Sequence, residues 1–385
     1  LTQLTERELS INQVATRLKF QFAIGSDSFM EIAKFRAARQ LWAHIVKAYG
    51  PCDDSRTRMH IHAVTSNWNK TMYDAHVNML RTTTEAMAGI TGGIDSLTIG
   101  PYNSVFTEPT AFSERIARNQ QLLLKEESYF DKVADPAAGS YYIEHLTSSI
   151  AAEAWKLFLE VQERGGFLEA FNAGFIQSSI REAARQRDMN ITTRREVLLG
   201  SNQYPNTTEA LEKEVPERFM HPTDRSDPGS GAETLKMYRG AQAFERLRHQ
   251  TDLYALKGSR PKVFLITMGN LAMRRARAQF AANFFGCAGY EIIDNNGFAD
   301  AGFAASAYLE SGADIAVLCS SDGEYADIAP VLFDMLKDKS IFVVAGYPGE
   351  ILEELTAKGI RHFIHVRSNV LESLQEFQQL LGMDK

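Results

Sequence analysis

The order of apolar and polar positions predicts an α/β protein. Residues 27–49 (DSFMEIAKFRAARQLWAHIVKAY) repeat apolar side chains at helical spacing behind an N-cap at Asp27 or Ser28, and Gly50-Pro51 ends the run. MHIHAV (59–64) alternates like a short strand, and 71–90 is helical again. Gly92-Gly93 then breaks the chain before a strand at 95–99. Helical patterns follow at 111–127, 140–164 and 167–187. Residues 200–232 are polar and rich in Pro, Ser, Asp and Gly, which is linker chemistry, and a charged helix is predicted over 233–252. The last third is the most regular. KVFLITM (262–268), YEIIDN (290–295), DIAVLCS (314–320), SIFVVAG (340–346) and HFIHV (362–366) are short apolar runs rich in β-branched residues. Amphipathic helices are predicted between them at 271–285, 300–311, 323–337 and 349–358, with a last one at 369–381. Near-continuous apolar strands imply burial on both faces, hence a doubly wound parallel sheet. Three stretches are expected: 1–200, a linker with its helix over 201–260, and 261–385.

Composition narrows the classes. The chain has 385 residues, 44% hydrophobic and 23% charged, with a formal net charge of −7. That is ordinary for a globular protein, and the chain holds no run of about 18 apolar residues of the kind a spanning helix needs. A sequence pI near 5.8 argues against nucleic acid as a partner, since neutralising phosphates needs a basic face. Residues 261–385 hold 10 Lys/Arg against 16 Asp/Glu, whereas the preceding part holds 31 against 32, so charge changes near residue 260. Cys52, Cys287 and Cys319 lie far apart without metal-like spacing and read as thiols of a reducing, cytoplasmic compartment.

Several residues could carry chemistry. His60 and His62 would share a strand face, a conceivable metal pair without a third ligand at useful spacing. Thr65, Ser66, Ser96 and Thr98 are small hydroxyl residues at strand ends, suited equally to a channel lining and to a core. Arg115 and Arg118 could contact phosphate or pair with Glu114 or Glu126. Asp135-Pro136 with Gly139-Ser140-Tyr141-Tyr142 reads either as the entry to a helix, the favoured reading, or as a direct ligand contact. Phe29, Phe35, Trp42 and Tyr49 recur at helical intervals as core or interface. Doubly wound sheets bind ligands beyond the carboxyl ends of their strands. The rim candidates are Gly269-Asn270-Leu271, Ser320-Ser321-Asp322-Gly323 and Gly346-Tyr347-Pro348-Gly349. Arg274, Arg275 and Arg277 start a helix, where the dipole disfavours cations. They are open to three readings: a solvated face, contact with an acidic partner surface, or anion binding.

The segments FMEIAKFRAARQLWA (29–43), RTTTEAMAGITGGIDSL (81–97), FSERIARNQQLLLKEES (112–128), KVADPAAGSYYIEHLT (132–147) and LLGSNQY (198–204) together resemble the methylmalonyl-CoA mutases, which use adenosylcobalamin to interconvert succinyl-CoA and methylmalonyl-CoA. The resemblance implies the C-terminal part of a (β/α)8 barrel, a linker, and a flavodoxin-like domain of the cobalamin-binding type. It also implies upstream barrel strands before Leu1, including the family's Ser-Gly-Tyr-His segment with its catalytic histidine.

The departures from the family pattern define the expected role. Where the catalytic members carry Asp-x-His-x-x-Gly, whose histidine ligates cobalt, this chain has Asn270, Ala272 and Arg275 in the Asp, His and Gly positions. A methyl group has no lone pair to give a metal. Ser320 and Ser321 resemble the family's serine loop only loosely, and Ala345-Gly346 stands where a Gly-Gly pair is usual. Asn270, Ala272, Ser320, Ser321 and Gly346 are therefore expected to be a vestigial cobalamin rim. In the barrel part, His-Cys-Gln-Thr-Ser-Gly-Trp becomes His62-Ala63-Val64-Thr65-Ser66-Asn67-Trp68, and Ser-Leu-His-Thr-Asn becomes Ser96-Leu97-Thr98-Ile99-Gly100. His62, Thr65, Ser66 and Ser96 are then a vestigial substrate lining. No catalytic residue, cofactor or metal is assigned to this chain. The pattern is similar to the small (β) subunit of heterodimeric mutases, which pairs with a large (α) subunit that holds the adenosylcobalamin. Two alternatives stand beside it: a working mutase chain with atypical cobalamin binding, or a CoA-binding regulatory module.

Overall fold

The computed structural model describes residues 1–51, 57–211, 215–223 and 233–383. Cys52 and most of the Pro/Gly/Ser-rich stretch at 221–233 lie outside them. Contacts divide the chain into two compact units, 1–182 with 222–239, and 183–221 with 240–385. The division differs from the expected boundaries at 200 and 260. Residues 183–200 group with the second unit, and the expected linker is shared between the two.

The first unit opens with two short helices, α1 (Thr2–Thr5) and α2 (Ile11–Ala15). It then builds a parallel three-stranded sheet, β1 (Lys19–Ile24), β2 (His60–Thr65) and β3 (Ser96–Thr98), in that order. The strand β1 was missed in the sequence reading, although KFQFAI alternates polar and apolar positions. Parallel pairing sets Gln21 opposite His62 and His62 opposite Ser96. Side chains alternate across the sheet, so Ile61 and Ala63 turn inward while His60, His62 and Val64 stay more open. The helices α3 (Ser28–Ala48) and α4 (Val77–Thr91) belong to the same unit, and Ile24, Phe35, Trp42, Val46, Ile61 and Ala63 form a common core. The Asp27 carboxylate caps α3 by accepting from the Met30 N–H at 3.2 Å. Helix α4 starts six residues later than expected because the buried Asn78 side chain holds the preceding turn. Its Oδ1 accepts from Thr71 N–H (3.0 Å), and its Nδ2 donates to the Thr71 (2.7 Å) and Tyr102 (2.9 Å) carbonyls.

Further helices follow: α5 (Ala111–Glu126), α6 (Tyr141–Glu163), α7 (Phe167–Asn172) and α8 (Phe175–Thr192). The single helix expected over 167–187 is two, split at Gly174, whose φ of 78° an L side chain rarely adopts. Within the aromatic series, Phe35 and Trp42 are buried, whereas Phe29 and Tyr49 are exposed.

The second unit contains α9 (Glu217–Met220) and α10 (Gln242–Lys257). The helix α10 begins nine residues after the expected start because Met237 is held extended, pairing antiparallel with Thr223 within the first unit. Nor is it a solvated linker helix: Phe244, Leu247, Arg248, Thr251 and Asp252 are buried. The remainder alternates β4 (Lys262–Thr267), α11 (Leu271–Gly286), β5 (Glu291–Ile293), α12 (Ala301–Ser311), β6 (Ile315–Cys319), α13 (Tyr325–Leu336), β7 (Ile341–Val344), α14 (Leu352–Lys358), β8 (His362–Phe363) and α15 (Val370–Leu380). The all-parallel order β5-β4-β6-β7-β8 is flavodoxin-like, with its crossing point between β4 and β6. All five residues of β6 are buried, as a central strand covered on both faces requires. Among the described residues no helix is long and apolar enough to cross a membrane.

Candidate functional site

On the open face of the first sheet His62 is held between two hydroxyls. Its Nδ1 lies 2.8 Å from Ser96 Oγ and its Nε2 3.3 Å from Thr98 Oγ1. Both ring nitrogens thus have a partner on the neighbouring strand. The other two hydroxyls of the series are spent on the backbone. Thr65 is buried and its Oγ1 accepts from Gly100 N–H at 2.9 Å, while Ser66 Oγ accepts from Trp68 N–H at 3.1 Å. Thr65 and Ser66 therefore shape the ends of β2 and β3 instead of presenting hydroxyls. His60 is exposed, and among the described residues no group of three or more His, Cys, Asp or Glu could hold a metal ion.

Two polar clusters elsewhere in the first unit were missed in the sequence reading. The loop after β2 buries Lys70 against Glu85 of α4, with Asn69 completing the group. Arg36 of α3 pairs with Asp135 and with Glu144, the latter at 2.7 Å. The same Glu144 carboxylate accepts from Gly139 N–H, so the 135–140 loop is tied to the start of α6. That confirms the helix-entry reading of Asp135-Pro136. Arg115 and Arg118 are exposed, and Glu126 is paired with Lys125.

At the carboxyl rim of the second sheet the candidate residues do converge. Asn270 caps α11, its Oδ1 accepting from Ala272 and Met273 N–H, both at 3.1 Å. Ser320 and Ser321 end β6, and Gly346 follows β7. A side chain at 346 would start 2.9 Å from the Tyr325 ring and 3.1 Å from the Asp322 carboxylate. The centre of the rim is taken by a residue outside the candidate set, Glu324. Its carboxylate accepts from the Ser320 hydroxyl (2.7 Å), the Ser321 hydroxyl (2.6 Å), Asn270 N–H (3.0 Å) and Ser321 N–H (3.2 Å). The Ser321 and Ser320 hydroxyls, then the Asn270 amide, hold this carboxyl at a pKa of about 2. A signal for it existed. Ser321-x-x-Glu324 is the spacing of a capping box, which explains the Ser321 contacts but not those to Asn270 and Ser320.

The arginine cluster divides. Arg277 bridges to Asp322 at 2.9 Å, and the Arg274 guanidinium donates to the Gly269 (3.4 Å) and Asn296 (3.2 Å) carbonyls. Arg274 and Arg275 line a cavity of about 360 Å³ with Asp294, Asn295 and Asn296. One histidine, His365, follows β8. Burial, then the charges of Arg367 and Arg277, holds its pKa down, and its Nδ1 accepts from Arg367 N–H while the ring rests 4.8 Å from that of Tyr347.

The donor set at this rim does not fit a corrinoid held by a histidine. Position 272 offers a methyl group, and Asn270, Ser320 and Ser321 spend their polar groups on the Ala272 and Met273 amides and on Glu324. An α/β chain with a parallel sheet in each unit, one flavodoxin-like, is thereby defined by fold and by a rim that uses its own carboxylate.

Comparison with known proteins places it. The family described as Methylmalonyl-CoA mutase matches residues 1–253, and the chain belongs to that family. The chain is similar to the methylmalonyl-CoA mutase small subunit of Porphyromonas gingivalis, 50% identical over all of this chain and 61% of that protein. A probable small subunit of Mycobacterium tuberculosis is 34% identical over 99% of this chain and 60% of its own length. The Porphyromonas large subunit is 42% identical over only 51% of this chain and 27% of its own length. The chain thus spans about three fifths of the length of these small-subunit relatives.

Proposed function

We propose that this chain is part of a small, non-catalytic subunit of an adenosylcobalamin-dependent methylmalonyl-CoA mutase. In this reading a large subunit holds the cofactor and interconverts succinyl-CoA and methylmalonyl-CoA, and this chain pairs with it and stabilises it in the cytoplasm. The observation that carries the reading is Ala272. The first turn of α11, capped by Asn270, presents a methyl group where the family resemblance asks for an imidazole. Similarity to small subunits over the whole of this chain supports the same conclusion, beside a similarity to a large subunit over only half of the chain.

The test is co-purification and turnover. A small subunit containing this chain, co-expressed with a large subunit that retains the cobalt-ligating histidine, is expected to purify as a complex that isomerises methylmalonyl-CoA when supplied with adenosylcobalamin. The small subunit alone is expected to be inactive and to leave the visible spectrum of added cobalamin unchanged. Turnover without the large subunit, or a spectrum of histidine-ligated cobalt, would overturn the reading.

A further inference from the structure

The misfit at the second sheet's rim goes beyond a missing imidazole. We propose that Glu324 is a resident anion that closes this rim from within the chain, so that the rim refuses ligands by occupation as well as by loss of a metal donor. The inference extends the reading of Ala272 above and rests on a different residue.

Three observations carry it. First, donors from two separate loops meet on one carboxylate: Asn270 N–H from the β4–α11 loop, and the Ser320 hydroxyl with the Ser321 hydroxyl and N–H from the end of β6. A helix cap alone would recruit only the Ser321 group. These loops flank the crossing point between β4 and β6, where doubly wound sheets take their ligands. Second, the carboxylate sits directly against the backbone of the β4–α11 turn. A Cβ on Gly269 would lie 2.3 Å from Glu324 Oε2, and Gly269 has a φ of 73°. Third, two further groups beside the carboxylate already have partners inside the domain: Arg277 faces Asp322, and the Tyr325 hydroxyl accepts from Ser320 N–H at 3.1 Å while donating to the Ala345 carbonyl at 2.7 Å. An incoming phosphate or carboxylate would have to displace a carboxylate that is tethered, and therefore present at high effective concentration.

Removing the side chain should convert the self-filled rim into one that accepts a free anion. The experiment uses the purified small subunit that contains this chain and its Glu324→Ala and Glu324→Ser variants. Thermal midpoints are measured in sodium phosphate and in sodium formate, against sodium chloride of equal ionic strength. The wild type is expected to show no anion-specific change. Each variant is expected to melt lower in chloride and to recover by about 3 °C in 20 mM phosphate or formate, the size expected for millimolar binding to the folded state. Variants that fold but respond no more than the wild type would overturn the proposal, as would a wild type that already responds. The Ser variant keeps the question answerable if Ala does not fold, because its hydroxyl can still accept from the Ser321 amide. Failure of the subunit-pairing experiment leaves these melts readable, and unresponsive melts leave the pairing experiment readable.

Discussion

Lys70 Nζ lies 2.6 Å from Glu85 Oε1 and 2.8 Å from Oε2, with both side chains all but removed from solvent. Burial pushes the lysine's pKa down and the glutamate's up, and their mutual attraction opposes both shifts. A buried pair of this kind is costly to break and cheap to replace as a unit. Lys70→Met or Glu85→Leu alone is expected to lower unfolding stability by about 3–5 kcal/mol, whereas the double variant returns to within about 1 kcal/mol of wild type. Urea unfolding midpoints of the four proteins check this, and additive losses would refute it.

Asp95 separates a buried contribution from an exposed one. Burial alone would raise its pKa, but Ile61 N–H (2.8 Å), Arg39 (2.9 Å) and Arg58 (2.8 Å) together hold it below the ordinary carboxylate value. Asp95→Ala is expected to cost about 1–3 kcal/mol, because it leaves the Ile61 amide without its acceptor and the half-buried Arg39 with only the Met59 and Gly93 carbonyls. Arg58 is 71% exposed, so Arg58→Ala is expected to cost less than about 0.5 kcal/mol. Denaturant titration of the two variants distinguishes them.

Gly92 lets α3 approach the end of α4. A Cβ there would lie 2.9 Å from the Phe35 ring and 3.2 Å from the Ile32 Cα. With a φ of −75° the backbone itself would accept alanine, so any loss comes from crowding. Gly92→Ala is expected to cost about 1–3 kcal/mol, checked by its melting midpoint.

Glu324 has a lowered folded-state pKa, about 2 against an ordinary 4.5. A depressed carboxyl stabilises the fold fully above its unfolded pKa and loses that contribution as pH falls towards its folded pKa. The melting advantage of wild type over Glu324→Gln is therefore expected to be constant from pH 7 to about 5 and to shrink steadily below about 4.5. An advantage independent of pH down to about pH 3 would contradict the assigned contacts.

Much of the second unit could be read from the chain, because each of its buried strands is a short β-branched run with glycine or asparagine at the following turn. The first unit was harder. The strand β1 is half-exposed and carries Lys19 and Gln21, so its apolar signal is diluted. The starts of α4 and α10 were misplaced because the Asn78 side-chain contacts to Thr71 and Tyr102 and the Thr223–Met237 pairing fix them, and hydrophobic spacing encodes neither. At the rim, Asn270, Ser320 and Ser321 were found as loop residues after strands. Glu324 was not, since a glutamate opening a helix is ordinary until the distant Asn270 loop is seen to point at it beside its own serines. The exposed faces of Phe29 and Tyr49 likewise depend on which elements arrive beside α3, and periodicity does not encode that.

The helix α15 closes against α10 through a single amide: Gln378 Nε2 donates to the Leu247 carbonyl at 2.7 Å and to Thr251 Oγ1 at 3.0 Å, while Gln250 reaches the Met383 carbonyl. The stretch that leads into the doubly wound sheet is thus completed by the stretch that leaves it, more than a hundred residues later. Upstream residues meet α10 at Gln242, Arg246 and Arg248, but its contacts at Leu247 and Thr251 close only when the last helix of the chain is in place. This unit therefore gains its last contacts through pairings of high sequence separation, which fold slowly.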